Sequence, residues 1–184
     1  MEVKGTAVLA IKEYVKNNFP TEFKNWVDSL NPASKDIFAG SIDSTKWYGV
    51  KEGALEPTLK MSNLFFNGDA LKGAWESGRY SAQKALTGIY KIFVKASSPS
   101  YIIQRASRVF STYYQPCEMK VLNSTSNGCL VEISNMDNCY DVIDNRIAGW
   151  IEKALEISGA KEIKVKLTLK PGDDTVREII ISWE

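Results

Sequence analysis

Three cysteines, Cys117, Cys129 and Cys139, are the strongest nucleophiles and soft metal ligands this chain possesses. Their spacing supports neither role. No C-x-x-C pair occurs, and no Lys or Arg adjoins any of them in sequence to stabilise a thiolate, so they read as small buried or half-buried residues. Histidine is absent altogether. Ser-His-Asp and Cys-His catalysis, His-containing zinc sites and iron held by a His are therefore out of reach. Asp137, Asp141 and Asp144 gather at the start of a predicted helix. They could hold a cation, but acidic residues also complement the positive end of a helix dipole, and no calcium-loop pattern is present. Lys161, Lys164, Lys166 and Lys170, with Arg177, crowd one strand near the C-terminus. A phosphate or nucleic-acid contact is one reading; lysine guarding an edge strand against aggregation is the one adopted here. No P-loop, dinucleotide glycine motif, nucleophile elbow or kinase signature occurs. The expectation is no metal, no cofactor and no enzymatic activity.

The composition agrees with an ordinary globular chain: 44% hydrophobic and 24% charged residues over 184 positions, enough for one domain spanning residues 1–184. A formal net charge of +1 gives no global electrostatic reason to bind nucleic acid or an anionic membrane. The N-terminus lacks the features of a signal peptide, and no apolar run approaches a membrane span. The cytoplasm is the expected compartment, which suits an odd number of widely spaced thiols. The sequon Asn123-Ser124-Thr125 is then taken as chance.

The elements that must position any site follow from periodicity and punctuation. Residues 1–66 read as an N-terminal helical part. Val8, Ile11 and Val15 form a helical stripe ended by Pro20, and Thr21 starts a short helix carrying Phe23, Trp26, Val27 and Leu30. Asn31-Pro32 opens another helix, Trp47-Tyr48 lie in a loop from Gly40 to Gly53, and a further helix runs from Ala54 to Phe66. Asn67-Gly68-Asp69 then separates that helix from a long one reaching Lys95, whose inner face carries Leu71, Trp75, Gly78, Ala82, Ala85, Ile89 and Phe93. Ser98-Pro99 starts a helix that Pro116 ends. Glu118 to Ser124 and Cys129 to Ser134 form a hairpin around an Asn-Gly turn. A helix from Tyr140 to Ser158 follows, and a second hairpin pairs Ile163–Lys170 with Val176–Trp183. Two hairpins flanking a helix predict an α+β fold with a four-stranded antiparallel sheet, packed against the long helix.

Short sequences recur along this order: Val3-Lys4-Gly5, Trp47-Tyr48, Asn67-Gly68-Asp69, Gly78-Arg79-Tyr80-Ser81-Ala82, Gly88-Ile89-Tyr90-Lys91, Ser98-Pro99, Tyr113-Tyr114, Cys139, Gly149-Trp150-Ile151-Glu152 and Ser158-Gly159-Ala160. In them the chain resembles a family of uncharacterised bacterial proteins well represented in myxobacteria. That family is related in fold to the haem-nitric-oxide/oxygen-binding (H-NOX) domain, the 4-vinyl-reductase-type domain and the Bet3-like subunits of vesicle-tethering complexes. The haem-binding relatives ligate iron through a His and hold the propionates with a Tyr-x-Ser-x-Arg motif. This chain has neither, nor the cysteine cluster of some vinyl-reductase-type domains, so the resemblance implies the fold without haem.

The resemblance also implies where a ligand would sit: between the long helix and the last one, where relatives hold a cofactor or a fatty-acyl chain. Trp75, Gly78, Ala82 and Ala85 would then face Ile143, Ile147 and Trp150 across an apolar cavity. The competing reading is a closed, dry core. The expected function is a non-catalytic ligand-binding or sensory domain for a small apolar molecule, with no nucleic-acid partner. A homodimeric protein-interaction module is the alternative, and an enzyme of unrecognised type is the second. Near-zero charge and the aromatic N-terminal helices, with Phe19, Phe23, Trp26 and Phe38, predict a homodimer joined through those helices.

Overall fold

The computed structural model describes residues 1–86, 97–136 and 141–184. The chain opens with a short strand, β1 (Glu2–Lys4), leading into α1 (Gly5–Asn18). Helices α2 (Phe23–Ser29) and α3 (Pro32–Ala39) follow, then β2 (Trp47–Gly49), a π-helical turn over Lys51–Leu55, and α4 (Glu56–Phe65). Helix α5 covers Ala70–Leu86 and α6 covers Pro99–Val109. A 3-10 turn at Phe110–Thr112 leads to β3 (Tyr114–Gln115) and the hairpin β4 (Glu118–Ser124) with β5 (Gly128–Ser134). Helix α7 (Asp141–Ser158) and the hairpin β6 (Lys164–Lys170) with β7 (Asp173–Ser182) complete the order.

Local chemistry accounts for the helix starts. The Asn31 side chain accepts from the Ser34 amide at 2.9 Å with Pro32 behind it, and Asp69 accepts from the Lys72 amide at 2.9 Å. Ser98 does the same for Tyr101 at 3.3 Å. Between α4 and α5 the chain reverses through Asn67 and Gly68, both at positive φ. Helix α6 ends before Pro116 is reached, because the chain enters the 3-10 turn and then β3.

The two hairpins form the expected sheet, in the order β4-β5-β7-β6 with every pairing antiparallel. Cys129 lies opposite Ile181 and Val131 opposite Ile179, so one face presents these four buried side chains as a ladder. Strand β6, with its lysines, is an edge strand. Arg177 does not join that surface charge. It is only 2% exposed, and its Nε donates to Asp144 Oδ2 at 2.5 Å, tying β7 to α7. Burial pushes the Asp144 carboxyl above the usual range even beside that guanidinium.

A second sheet, β2-β1-β3, was not foreseen. Val3 pairs with Tyr48 on one side and Tyr114 on the other, so Trp47 and Tyr48 are half-buried strand residues rather than loop. The N-terminal part is thus not helix alone. Helix packing also differs from expectation. Helix α5 packs on α7, with α4 and α1 alongside, while α7 and α6 lie against the sheet. The predicted extension to Lys95, with Ile89, Phe93 and the Gly88 motif, lies outside the described residues, as do Asp137 and Cys139.

The aromatic groups assigned to a dimer contact are used within the chain. Trp26 and Phe38 are fully buried and meet edge to face with ring centroids 5.2 Å apart, and Trp26 Nε1 donates to the Pro57 carbonyl at 3.1 Å. Phe19 stacks on Phe65 at 4.0 Å, and Phe23 packs on Trp26 at 5.8 Å. Trp26 and Phe38 are thus used up within the N-terminal core, while Phe19 and Phe23 stay half-buried at its edge.

Helices α5 and α7 cross in close contact. A Cβ on Gly78 would sit 2.0 Å from the Arg146 carbonyl oxygen, and one on Gly149 would sit 2.2 Å from the Trp75 carbonyl oxygen. Glycines on both helices therefore let the two backbones touch. Gly149→Ala should cost on the order of 1–3 kcal/mol, the usual range for overpacking, read as a lower urea midpoint. Gly40→Ala is the control: its Cβ would meet only the Asp36 carbonyl oxygen, at 3.6 Å, and the midpoint should stay close to wild type. Equal stability of the Gly149→Ala protein would show that the helices do not meet this closely.

Candidate ligand cavity

Beside that crossing, α1, α5, α6, β4 and α7 leave a cavity of about 340 Å³. This lies within the range of small-molecule sites, roughly 300–1,000 Å³. Small residues make the room: Ala7 and Ala10 on α1, Ala85 on α5 and Ala106 on α6. Phe110, Met119, Ile147 and Trp150 supply larger apolar walls. Val109 and Tyr113, 40% and 38% exposed, mark an open side, and Glu13 with Lys84 lies at another. Lys84 Nζ and Glu13 Oε2 are 3.1 Å apart.

Of the seven residues expected to line a cavity between α5 and α7, three do so: Ala85, Ile147 and Trp150. The other four serve the interface between the helices or the core. Gly78 is occupied by the α7 backbone, and Ala82 and Ile143 are fully buried. Trp75 donates from Nε1 to Glu152 Oε2 at 3.0 Å. Arg79 strengthens the same seam by pairing with Glu152 and, at 2.5 Å, with Glu156. The open space is thus displaced towards α1 and α6, because the glycines close the centre of the α5–α7 crossing.

Arg146 is the residue that sequence reading missed. It lies on the α7 face shared by Ile143, Ile147 and Trp150, is 3% exposed, and lines the cavity. Its Nη1 donates to the Tyr114 hydroxyl and its Nη2 to the Ala7 carbonyl, both at 2.9 Å. Its Nε is buried without a hydrogen-bond partner. The signal was present in sequence as one charge inside an apolar helical stripe, a pattern that buried charges need a specific reason to adopt.

Other candidate chemistry is not concentrated here. Among the described residues no three His, Cys, Asp or Glu side chains gather as a metal site. Cys117 and Cys129 are buried, and neither lines the cavity. Asp144, the carboxyl with a raised pKa, is committed to Arg177 and also lies outside it. A groove of about 320 Å³ between α6 and β4, lined by Gln104, Ser107, Arg108 and residues 121–124, is largely formed by exposed side chains. Among the described residues no helix is long and apolar enough to cross a membrane.

No protein-family profile and no curated protein matches the chain. Solved structures do match, along nearly its whole length. The Fe(II) unliganded H-NOX protein from K. algicida is 14% identical, with a TM-score of 0.73 over 98% of this chain and 96% of that one. The S. oneidensis H-NOX protein in its Fe(II)NO ligation state is 12% identical, with a TM-score of 0.71 over 98% and 99%. An oxygen-binding H-NOX domain related to soluble guanylate cyclases, solved as its oxygen complex, is 13% identical, with a TM-score of 0.69 over 98% and 95%. The chain therefore has the H-NOX fold.

The thiols generate a direct test. Burial pushes the Cys129 thiol up to about 11, so at pH 7 it is protonated and unreactive. In a Cys139→Ser protein, Ellman's reagent at pH 7 should release almost no chromophore until urea unfolds the chain. Rapid stoichiometric reaction of the native protein would show that Cys117 or Cys129 is an accessible thiol.

Proposed function

We propose that this protein is a non-catalytic ligand-binding or sensory domain that takes a small organic molecule in the cavity between α1, α5, α6 and α7. The observation that carries this reading is the cavity itself: about 340 Å³, walled mainly by apolar side chains and opened by four alanines. Its titratable groups do not assemble an acid–base or nucleophile set. Among the described lining residues, Glu13 and Lys84 pair with each other, and Arg146 donates to the Tyr114 hydroxyl and the Ala7 carbonyl. The likeness in fold to proteins described as binding oxygen or carrying Fe(II)NO supports a binding role over a catalytic one.

Haem does not fit this donor set. The α6 residues lining the cavity, Ala106 and Val109, carry no atom able to ligate iron, and the chain contains no His. Among the described lining residues the oxygen and sulfur donors are Thr6, Glu13, Ser81, Tyr113, Tyr114 and Met119; Glu13 is paired with Lys84, and the Tyr114 hydroxyl already accepts from Arg146. The ligand is accordingly an organic molecule bound without iron. A scaffold role has less behind it. The exposed large apolar side chains, such as Leu64, Leu71, Leu122, Leu169 and Ile180, are spread over five elements.

Native mass spectrometry of protein purified from its own host should show a bound small molecule. Ala106→Trp should remove it by filling the cavity, while the unfolding free energy from urea titration stays within about 1 kcal/mol of wild type. A ligand-free protein, or an adduct that survives in Ala106→Trp, would overturn the assignment. Protein supplied with haem should show no Soret band above that of free haem, and a protein-dependent band would reinstate the cofactor.

A further inference from the structure

We infer that the ligand of this cavity carries one anionic group, a carboxylate, which pairs with Arg146 while its apolar body lies against Ala106, Phe110, Ile147 and Trp150. The inference rests on reading the cavity as a ligand site and adds the chemistry that would select the ligand.

The molecule provides its own controls. Arg177 is as deeply buried as Arg146, at 2% against 3% exposed, and has the Asp144 carboxylate 2.5 Å away. Arg79, on the α5–α7 seam, is paired with Glu152 and Glu156. Arg146 alone among these three has no carboxylate within 4.0 Å among the described residues. Its two hydrogen bonds go to a tyrosine hydroxyl and a main-chain carbonyl, both neutral. They hold the guanidinium in position without balancing its charge.

A buried charge left uncompensated is costly, whereas the same charge opposite a counter-ion forms a strong charge-assisted bond. The guanidinium is held at the wall of a cavity by its bonds to Tyr114 and Ala7, so an incoming anion meets a preorganised donor. One unbalanced positive charge calls for one negative charge. Among the described residues the other cation on the cavity wall is Lys84, already paired with Glu13, so a doubly charged phosphate monoester would bring excess charge into an apolar chamber. A planar carboxylate matches both the charge and the flat edge of a guanidinium.

The test uses matched probes on the whole chain stripped of endogenous ligand, by calorimetry at pH 7: octanoate against octan-1-ol, and 4-phenylbutyrate against 4-phenylbutan-1-ol. In at least one pair the acid should bind wild-type protein at least tenfold more tightly than its alcohol, a difference of about 1.4 kcal/mol. Arg146→Gln should bring acid and alcohol to equal affinity, and Arg146→Lys should keep part of the preference. Alcohols binding as tightly as acids would overturn the carboxylate assignment and leave the ligand cavity standing. Failure of all four probes to bind would count against the cavity and this inference together. The comparison within wild-type protein decides the matter even if Arg146→Gln does not fold. If that variant folds and retains the acid preference, the charge is being read elsewhere.

Discussion

Everything around the cavity depends on the backbone contact between α5 and α7. Because Gly78 lacks a Cβ, α5 can lie against the Arg146 carbonyl and the Trp150 amide. Those are the main-chain groups of two residues whose side chains line the cavity. The crossing therefore fixes the position of a buried charge and a large aromatic group at the site. Gly149 makes the reciprocal contact with Trp75, and Trp75 and Arg79 clamp the seam from its edge through Glu152. Such a contact leaves no slack: widening the crossing would carry Arg146 and Trp150 away from Tyr114 and α1.

Two kinds of small residue have opposite uses here. Glycines at 78 and 149 close space, since each replaces a side chain with a neighbouring backbone. Alanines at 7, 10, 85 and 106 open it, since each stops short where a longer side chain would fill the centre. Sequence spacing put Gly78, Ala82 and Ala85 on one face of α5, but it could not distinguish a helix that touches its neighbour from one that stands off. That distinction depends on the partner helix, and only the glycine at 149 on the other side settles it.

The legible parts of the fold were those written in local chemistry. Asn31, Asp69 and Ser98 cap their helices, and the turns at 125–128 and 171–172 join the paired strands of the main sheet. The three-residue strands around Val3 and Tyr48 were not legible, because a run so short carries no alternation and its pairing spans more than forty residues of chain. The burial of Asp144 on α7 was hidden for a related reason. The helix has α5 on one side and the sheet on another, so Asp144 and Arg146 are both interior although they point in different directions. A two-sided helix departs from the single apolar stripe used to tell inside from outside. Asp144 then finds Arg177 on β7, while Arg146 finds only neutral acceptors near α1.

Access to the cavity follows from the strength of what borders it. The Glu13–Lys84 pair links α1 to α5, but its side chains are 35% and 51% exposed. An exposed pair contributes about 0–1 kcal/mol and less in salt. The pair is therefore a weak link between the two helices beside the cavity, unlike the Gly78–Gly149 crossing. Within the chamber the strongest polar attraction is the one group the fold leaves unbalanced. A ligand able to complete Arg146 would be held at its charged end by a fixed guanidinium and along its body by apolar walls, two contacts that together define an orientation.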